Sequence, residues 1–241
     1  MAKKLPPRRV GIIGEHGQVS TYLQRRIAIE PTLEAVVIDR EQLDLTNLDA
    51  IRPALEAAEL DMLINPAAYT AVDNAESEPE LCDVINHRAV RQLAEYANQA
   101  GVPLIHFSTD YVFAGDASEP YVETAATGPS GVYGATKLAG EKAILESNAP
   151  AIILRTAWVY STVGKNFYKT MLALSESRDE LKVVADQIGS PTYAGSIADA
   201  TINLAKQVLH KDFDSEAFGV YHLSCQGHTS WAEFARSIFR A

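Results

Sequence analysis

The chain has 241 residues, of which 47% are hydrophobic and 22% are charged, and its formal net charge is −10 at pH 7. This composition excludes a largely disordered chain, and a negative charge with no basic block to offset it argues against nucleic acid as a partner. No stretch approaches the roughly 18 apolar residues of a membrane helix, so we expect a cytoplasmic protein with no membrane partner.

Short apolar runs alternate with helical patterns along the first half of the chain. This alternation predicts a Rossmann-type, doubly wound parallel sheet of the α/β class. Apolar residues at helical spacing predict a long helix over 79–100, which Gly101 and Pro103 end. Strands are predicted at 9–13, 35–38, 62–64, 104–107 and 151–154. Further helices are predicted at 18–28 and around Tyr133 and Lys137, the latter running to about 147.

The character of the chain changes after residue 155. Ser196 with Asp199 resembles a capping box that opens a helix to about 210, and Ser230 with Glu233 repeats the signal for a last helix. We therefore divide the chain into a mainly dinucleotide-binding part, 1–155, and a small, mainly substrate-binding C-terminal lobe, 156–241, interleaved in a single structural unit. Polar, glycine-containing loops of the kind that hold ligands lie at 161–166 and 186–192.

A glycine-containing turn follows the first predicted strand and opens the first helix, the context that a phosphate-binding turn requires. Gly14 permits the tight turn, and Gly17 lets the backbone approach a pyrophosphate at the helix N-terminus. The third position of the pattern holds Ser20 rather than glycine, so we expect slightly looser packing of helix on strand. A plain turn that binds nothing is the alternative interpretation.

Two residues of opposite charge end the second predicted strand, about 20 residues past the turn. Asp39 can bind the ribose hydroxyls of an adenosine, whereas Arg40 can meet a 2′-phosphate. The two residues favour different cofactors, NADH and NADPH, and the choice between them stays open. Asp44 with Leu45 is a candidate adenine contact, and a solvated turn aspartate is the alternative interpretation.

Residues 65–70 follow the third predicted strand, and their small side chains suit close approach of the backbone to a cofactor; a generic loop is the alternative. Asn86 lies in mid-helix among apolar residues, where a structural hydrogen bond and a water relay are equally supported. The fourth strand delivers Ser108 and Thr109 at its carboxyl end. Because successive strand residues face opposite sides, only one of them should reach a site there.

A tyrosine lies four residues before a lysine on one predicted helix, so Tyr133 and Lys137 share a face, one turn apart. The lysine charge stabilises phenolate and is expected to pull the pKa of Tyr133 down from about 10. A tyrosine tuned in this way can protonate a carbonyl oxygen as hydride reaches the carbon. The spacing alone arises by chance on ordinary helices. Together with the hydroxyl-ended strand and the glycine-containing turn, it predicts a reductase that uses a nucleotide cofactor.

The cysteines and histidines form no metal-like pattern. Cys82 and Cys225 lie far apart in the sequence, so we expect buried free thiols rather than a disulfide. The six histidines are scattered, and we predict no metal site. Trp158 is expected to be half core and half ligand wall.

Several longer segments together resemble the extended short-chain dehydrogenases/reductases, and within them the dTDP-4-dehydrorhamnose reductase family. That family reduces the 4-keto group of a dTDP-linked 6-deoxyhexulose with a reduced nicotinamide cofactor. The resemblance spans nearly the whole chain, and the combination is highly specific. It is carried by residues 65–79 (NPAAYTAVDNAESEP), 108–115 (STDYVFAG), 132–141 (VYGATKLAGE), 155–160 (RTAWVY), 164–167 (GKNF) and 186–192 (DQIGSPT).

The resemblance implies a role for individual residues. Tyr133 is the expected proton donor, Lys137 binds the nicotinamide ribose, and Thr109 hydrogen-bonds the reacting oxygen. Together with the phosphate turn, it gives as cofactor-binding residues Gly14, Gly17, Gln18, Val19, Asp39, Arg40, Asp44, Leu45, Ala67, Ala68, Tyr69, Thr70, Phe107, Tyr133 and Lys137. The substrate-binding residues that it gives are Thr109, Asp110, Val72, Trp158 and Asn166.

The chain departs from the family pattern at Ser20, at Glu15 and His16 in the phosphate turn, and at its end. Some family members carry a bridging Mg²⁺ held by glutamates; the matching positions here are Tyr22 and Gly195, so we predict no such metal. The chain ends some tens of residues before its relatives. We therefore expect normal cofactor affinity with a more open substrate pocket, a raised KM and a lowered kcat.

Other functions remain open beside a reductase that acts on a dTDP-linked 4-keto-6-deoxyhexose. A relative of the family is a non-catalytic, cofactor-binding regulatory subunit of methionine adenosyltransferase; the intact Thr109, Tyr133 and Lys137 argue against that role here. A different sugar-nucleotide reductase or epimerase is a third candidate, because substrate identity rests on resemblance alone. A homodimer is left open.

Overall fold

A computed structural model describes residues 6–240 of the chain. Within that range the strands are β1 (Arg8–Ile13), β2 (Leu33–Ile38), β3 (Met62–Asn65), β4 (Leu104–Thr109), β5 (Ala151–Thr156), β6 (Val159–Tyr160), β7 (Ile188–Gly189), β8 (Thr192–Tyr193), β9 (Gly219–His222) and β10 (Thr229–Ser230). The α-helices are α1 (Gln18–Ile27), α2 (Leu48–Ala58), α3 (Val72–Ala75), α4 (Pro79–Asp83), α5 (Ala89–Ala100), α6 (Val132–Glu146), α7 (Phe167–Ser175), α8 (Ala194–Val208) and α9 (Trp231–Arg240). A π-helical turn spans Val84–Arg88, and 3₁₀ turns span Asp110–Val112 and Ser215–Ala217.

Six strands form one parallel sheet in the order β2-β1-β3-β4-β5-β9. The chain runs from β1 to β2 on one side and returns to β3 on the other, so the strand order reverses between β1 and β3. In open α/β sheets, ligands bind outside the carboxyl ends of the strands at such a point. The predicted doubly wound parallel sheet is confirmed, and each predicted strand is present.

Helices cover both faces of this sheet. On one face α2, α5 and α6 pack through residues such as Ile51, Leu93 and Ile144. On the other face α1 and α8 pack through Leu23 and Ile197. Strands with both faces covered need apolar side chains in both directions, which explains their continuous apolar runs. Because α8 and β9 come from the second half of the chain, both halves contribute to one sheet.

Two helix predictions held with one modification. The predicted helix over 79–100 is present as α4 and α5, but the π-helical turn joins them. The predicted cap of the last helix is confirmed, since the backbone N–H of Glu233 donates to Ser230 Oγ at 3.1 Å. A local side-chain contact therefore caps the N-terminus of α9.

The capping box predicted at Ser196 is wrong. Helix α8 begins at Ala194, and its N-cap is Tyr193, which makes no side-chain cap hydrogen bond. The carboxylate of Asp199 is used elsewhere, in an ion pair with Arg26 on α1 at 2.5 Å. Asp199 therefore serves a contact between two helices rather than a cap.

The two cysteines of the chain differ in their exposure. Cys82 is buried, as predicted, whereas Cys225 is partly exposed, and both are free thiols. Cys82 Sγ lies 3.1 Å from the hydroxyl of Thr136 on α6, which gives the buried thiol a polar neighbour.

Among the helices of residues 6–240, none has the length and apolar character that a membrane span requires.

A buried ion pair fixes α6 to the sheet. The guanidinium of Arg155 on β5 donates two hydrogen bonds to the Glu141 carboxylate, at 2.9 and 2.7 Å. Ser108 Oγ donates to the same carboxylate at 2.5 Å, and the guanidinium carbon of Arg155 lies 5.0 Å from the centre of the Phe113 ring. Each charge is therefore satisfied by several partners inside the protein, as a buried pair requires.

Replacing Glu141 with Ala should lower the free energy of unfolding by about 3–5 kcal/mol, because it leaves the Arg155 charge buried and unpaired. The control is Glu146→Ala on the same helix, whose exposed contact with Arg91 at 3.5 Å should contribute less than about 1 kcal/mol. Urea denaturation measures both variants. Equal losses would contradict the role given to the buried pair.

Candidate active site

Tyr133 lies in the first turn of α6, against the carboxyl end of β4. Its hydroxyl group lies close to the Thr109 side chain, and its ring packs edge-to-face on Tyr111 with 5.5 Å between ring centres. Gly134 permits this approach, because a Cβ there would lie 2.2 Å from the Tyr111 carbonyl oxygen. The glycine of the motif therefore brings the phenol to the end of the strand.

The expected lowering of the Tyr133 pKa is wrong for this structure. Burial raises the pKa of Tyr133 above its ordinary value, and the nearby Asp110 carboxylate raises it further, while the neighbouring Thr109 hydroxyl acts in the opposite direction. The Lys137 ammonium, which was expected to dominate, is not among the causes of the shift. Tyr133 is therefore a phenol that keeps its proton at neutral pH.

Lys137 is almost fully buried between α6 and the sheet, with 2% of its surface exposed. Its Nζ donates to the carbonyl oxygen of Phe107 at 2.7 Å and lies 3.2 Å from His106 Nε2. Burial disfavours the ammonium form and lowers the pKa of Lys137 from 10.5 to about 8. Its proton is therefore held much less tightly than that of an ordinary lysine.

The last two residues of β4 face opposite sides, as strand geometry predicts. Ser108 Oγ points to Glu141 under the sheet, whereas the Thr109 hydroxyl lies with Tyr133. Thr109 Oγ1 also donates to Asp110 Oδ1 at 3.0 Å and accepts from the backbone N–H of Tyr111 at 3.2 Å. Burial raises the pKa of the Asp110 carboxyl.

The phosphate turn between β1 and α1 has the conformation that the sequence predicts. Gly14 has a φ of +82°, a left-handed conformation that favours glycine. Gly17 is the N-cap of α1 and no side chain caps the helix, so its first N–H groups are available to an anion. Ser20 is buried and its hydroxyl donates to the Gly14 carbonyl oxygen. Ser20, at the third position of the glycine pattern, therefore stabilises the turn. The sequence alone did not predict this role.

Gln18, a predicted pyrophosphate contact, uses its side chain within the protein. Its Oε1 accepts from Ser161 Oγ at 2.9 Å and from Asn166 Nδ2 at 2.8 Å. The amide of Asn166 is also engaged with the carbonyl oxygens of Ser161 and Val163 and caps α7. These contacts tie the N-terminus of α1 to the C-terminal lobe. The direct ligand contacts predicted for both residues remain predictions.

The loop after β3 is fixed by buried amides. Asn65 Oδ1 accepts from the backbone N–H of Ala67 at 3.1 Å. The Asn86 amide accepts from the N–H of Tyr69 at 2.9 Å and donates to its carbonyl oxygen at 3.1 Å. Of the two roles considered for Asn86, the structural one is therefore observed. The loop also contains the predicted contacts Ala68, which is half-buried, and Thr70, which is exposed.

The charged residues after β2 are held within their own turn. Asp39 Oδ1 accepts from the backbone N–H groups of Glu41 and Gln42, both at 2.9 Å. Arg40 is exposed and pairs with Asp44 at 3.2 Å. Hydrogen bonds from Thr46 lower the pKa of Asp44.

Three predicted contacts lie in apolar packing. Leu45 and Phe107 are buried in the two cores on either side of the sheet, and Val19 packs against the second of these cores. A ligand can reach these positions mainly through their backbone atoms. Val72, the predicted substrate contact, is the first residue of α3 and is half-buried.

Trp158 is held in place by aromatic stacking in the C-terminal lobe. Its ring stacks on Trp231, with 3.5 Å between ring centres and 11° between planes. Its φ is +46°, which is unusual for a residue with a side chain, and a Cβ on Gly189 would lie 2.4 Å from the indole. The stacking partner on α9 was not found by sequence reasoning, because no local pattern connects the two tryptophans.

Within residues 6–240 no group of three or more His, Cys, Asp or Glu residues could hold a metal ion. Of the two residues at the expected Mg²⁺ positions, Tyr22 donates to or accepts from Thr162 at 3.1 Å and accepts from Tyr193 at 2.9 Å. Gly195 is buried in the first turn of α8. The absence of a bridging Mg²⁺ remains a prediction.

A dinucleotide suits the polar groups at the carboxyl edge of the sheet. The uncapped start of α1 offers N–H groups to a pyrophosphate. The hydroxyl of Thr156, which is in register with Thr109 on the neighbouring strand, is buried without a hydrogen-bond partner. Buried polar groups normally have partners, so an orphaned hydroxyl beside Thr109 fits a ligand with polar atoms.

A protein with this sheet, and with a phenol and a buried amine one turn apart beside the nucleotide crevice, is of the extended short-chain dehydrogenase/reductase class. Within that class, the chain belongs to the RmlD substrate binding domain family, whose model matches residues 8–241. The expected resemblance is thereby confirmed.

Relatives are similar along nearly the whole chain. The dTDP-4-dehydrorhamnose reductases of Sinorhizobium fredii and Escherichia coli are each 43% identical to it, covering 96% and 95% of this chain and 77% and 76% of their own lengths. The solved structure of dTDP-4-dehydrorhamnose reductase from Bacillus anthracis in complex with NADP has a TM-score of 0.89 at 39% identity. That match covers 97% of this chain and 80% of the other.

The direction of the Tyr133 pKa can be measured by titrating the tyrosines at their ultraviolet absorbance. Subtracting the titration of Tyr133→Phe from that of the unmodified chain should remove an ionisation above pH 10, because burial raises this pKa. Tyr22→Phe is the control, since hydrogen bonding with Thr162 lowers the pKa of Tyr22. Loss of an ionisation below pH 10 in Tyr133→Phe would instead favour control by Lys137.

Proposed function

We propose that this chain reduces the 4-keto group of dTDP-4-dehydro-L-rhamnose to give dTDP-L-rhamnose, with NADPH or NADH as cofactor. The observation that carries the proposal is the placement of Tyr133 beside Thr109 at the carboxyl end of β4. The 43% identity to two curated reductases of that name supports the choice of substrate. The product belongs to nucleotide-sugar metabolism and the reaction is that of an oxidoreductase.

Tyr133 supplies the proton of this reaction. Its raised pKa keeps Oη protonated at neutral pH, so the phenol can give its proton to the ketone oxygen as that oxygen gains negative charge. Thr109 lies beside Tyr133, and its hydroxyl would turn from Asp110 to donate a hydrogen bond to the same oxygen, which stabilises the developing charge. Proton transfer leaves a phenolate at Tyr133, which must regain a proton before the next turnover.

The nucleotide cofactor, when bound, supplies the hydride. The start of α1 would hold its pyrophosphate, with Gly14 and Gly17 giving room for the backbone to approach. Lys137 would hold the nicotinamide ribose. The orphaned hydroxyl of Thr156 would gain a polar partner.

The C-terminal lobe completes the proposal. We assign substrate binding mainly to 156–241 and cofactor binding mainly to 1–155, with Trp158 as part of the substrate wall. The non-catalytic regulatory subunit is disfavoured because the reacting residues are intact and placed together. A cytoplasmic location is part of the proposal, and a homodimer stays open.

The test is turnover of dTDP-4-dehydro-L-rhamnose with NADPH, followed by the loss of cofactor absorbance. Tyr133→Phe removes the proton donor but keeps the ring, so turnover should fall by roughly 10²–10⁴ while cofactor binding persists. Tyr221→Phe is the control, because that exposed hydroxyl bonds only the carbonyl oxygen of Ala217 among the described residues.

Two outcomes would contradict the proposal. An unmodified chain that binds NADPH without oxidising it would support the regulatory subunit. Near-normal turnover in Tyr133→Phe would remove Tyr133 from the mechanism.

The choice between NADPH and NADH should depend on Arg40. Arg40→Ala should raise the Kd of NADPH more than that of NADH if the exposed guanidinium leaves Asp44 to meet the 2′-phosphate. Arg52→Ala is the control, since Arg52 is half-buried and also pairs with a carboxylate four residues on, Glu56, at 2.9 Å. Binding titrations with both cofactors give the comparison. Equal losses for the two cofactors would show that Arg40 does not select between them.

A further inference from the structure

A chain of four hydrogen bonds runs from the loop after β3, through the buried lysine of the site, to the backbone of β4. The backbone N–H of Ala67 donates to Asn65 Oδ1 at 3.1 Å. Asn65 Nδ2 lies 3.1 Å from His106 Nδ1, and His106 Nε2 lies 3.2 Å from Lys137 Nζ. The last hydrogen bond of the series is the one that Lys137 Nζ donates to the carbonyl oxygen of Phe107 at 2.7 Å.

The direction of these bonds follows from their fixed ends. A backbone N–H can only donate, so Asn65 must turn its oxygen to Ala67 and its NH₂ group to His106. His106 is fully buried, and burial lowers the pKa of its imidazole well below the ordinary value, so the ring is neutral and has one N–H. Because Nδ1 accepts from Asn65, that proton lies on Nε2, opposite Lys137.

A lysine that faces an N–H needs a lone pair. The neutral amine of Lys137 has one, and it can accept from His106 Nε2–H while donating to Phe107. The ammonium form has only N–H groups, so two donors would meet at 3.2 Å. This buried series of hydrogen bonds therefore favours the neutral amine of Lys137. The hydrogen bond from His106 to Nζ is strong because the site is shielded from water.

We propose that Asn65 and His106 are positioning residues that set the protonation of Lys137, by presenting a fixed N–H to its Nζ. The proposal deepens the proposed function and rests on it, since Lys137 is the residue that would hold the nicotinamide ribose there. A lysine held in this way loses its proton nearer to neutral pH, whereas an ordinary lysine remains an ammonium there. His106 contacts neither phenol nor substrate and acts through the lysine.

Other titratable groups around Lys137 do not produce the same effect. Glu141 follows it by one turn of α6 and would favour the ammonium, but Arg155 neutralises that carboxylate at 2.7 Å. Cys82 on α4 also acts to raise the lysine pKa, and Tyr133 precedes it by one turn. Burial therefore lowers the pKa of Lys137 to about 8. The N–H that His106 presents to Nζ would act in the same direction, because it also disfavours the ammonium.

The first test measures the His106 tautomer in the unmodified chain, without cofactor or substrate. Long-range ¹H–¹⁵N NMR spectra distinguish a protonated from an unprotonated ring nitrogen. The expected result is a proton on Nε2 and none on Nδ1. A proton on Nδ1 would overturn the proposal, and it would leave the proposed reductase activity untouched.

The second test changes Asn65, the residue that sets the direction of the hydrogen bonds. Asn65→Asp keeps the shape of the side chain and the acceptor for Ala67, but it replaces the donor to His106 with an acceptor. The proton of His106 should then move to Nδ1, and Nε2 should accept from the Lys137 ammonium. Asn65→Ala removes the donor and adds no charge, so it separates the effect of the chain from that of a new carboxylate.

We expect the pKa of Lys137, followed by ¹⁵Nζ NMR and assigned by its loss in Lys137→Met, to rise by about one unit in Asn65→Asp. Asn65→Ala should raise it in the same direction by less. The alkaline limit of NADPH-dependent turnover should move upward with it. A rise in Asn65→Asp alone would assign the effect to charge and overturn the proposal, as would an unchanged pKa in both variants.

Discussion

The site depends on an amine that is buried where helix α6 meets strand β4. Burying Lys137 is unfavourable unless its nitrogen finds partners, and the carbonyl oxygen of Phe107 and the ring of His106 provide them. Those partners are on the sheet, so satisfying the amine fixes the rotation of the helix. One turn earlier on that helix, Tyr133 is brought to Thr109.

The same helix and strand are anchored on the side away from the ligand. Ser108 and Arg155 hold Glu141, one turn beyond Lys137, so alternate residues of β4 serve the anchor and the site. Consecutive turns of α6 therefore carry the phenol, the amine and the anchoring carboxylate. Because both side chains are buried, burial raises the pKa of Tyr133 and lowers that of Lys137 on the same helix.

The sequence predicted the elements whose signal is local and missed those whose signal is not. The central strands are continuous apolar runs, and the phosphate turn has its glycines in the expected order. Helix α2 was missed because Pro53 interrupts its pattern, and β9 because it is short and only partly buried. The pKa of Tyr133 was predicted in the wrong direction because spacing reports the lysine but not burial. That burial depends on Gly134 and Tyr111, which come from separate segments.

The central claim is that the carboxyl edge of this sheet reduces a sugar ketone with hydride from the cofactor and a proton from Tyr133. The most direct measurement supplies dTDP-4-dehydro-L-rhamnose with NADPH that carries deuterium in both hydrogens at nicotinamide carbon 4, followed by NMR of the product. We predict dTDP-L-rhamnose with one deuterium at sugar carbon 4 and none elsewhere. Deuterium at another carbon, or an unchanged ketone in the presence of bound cofactor, would contradict the account.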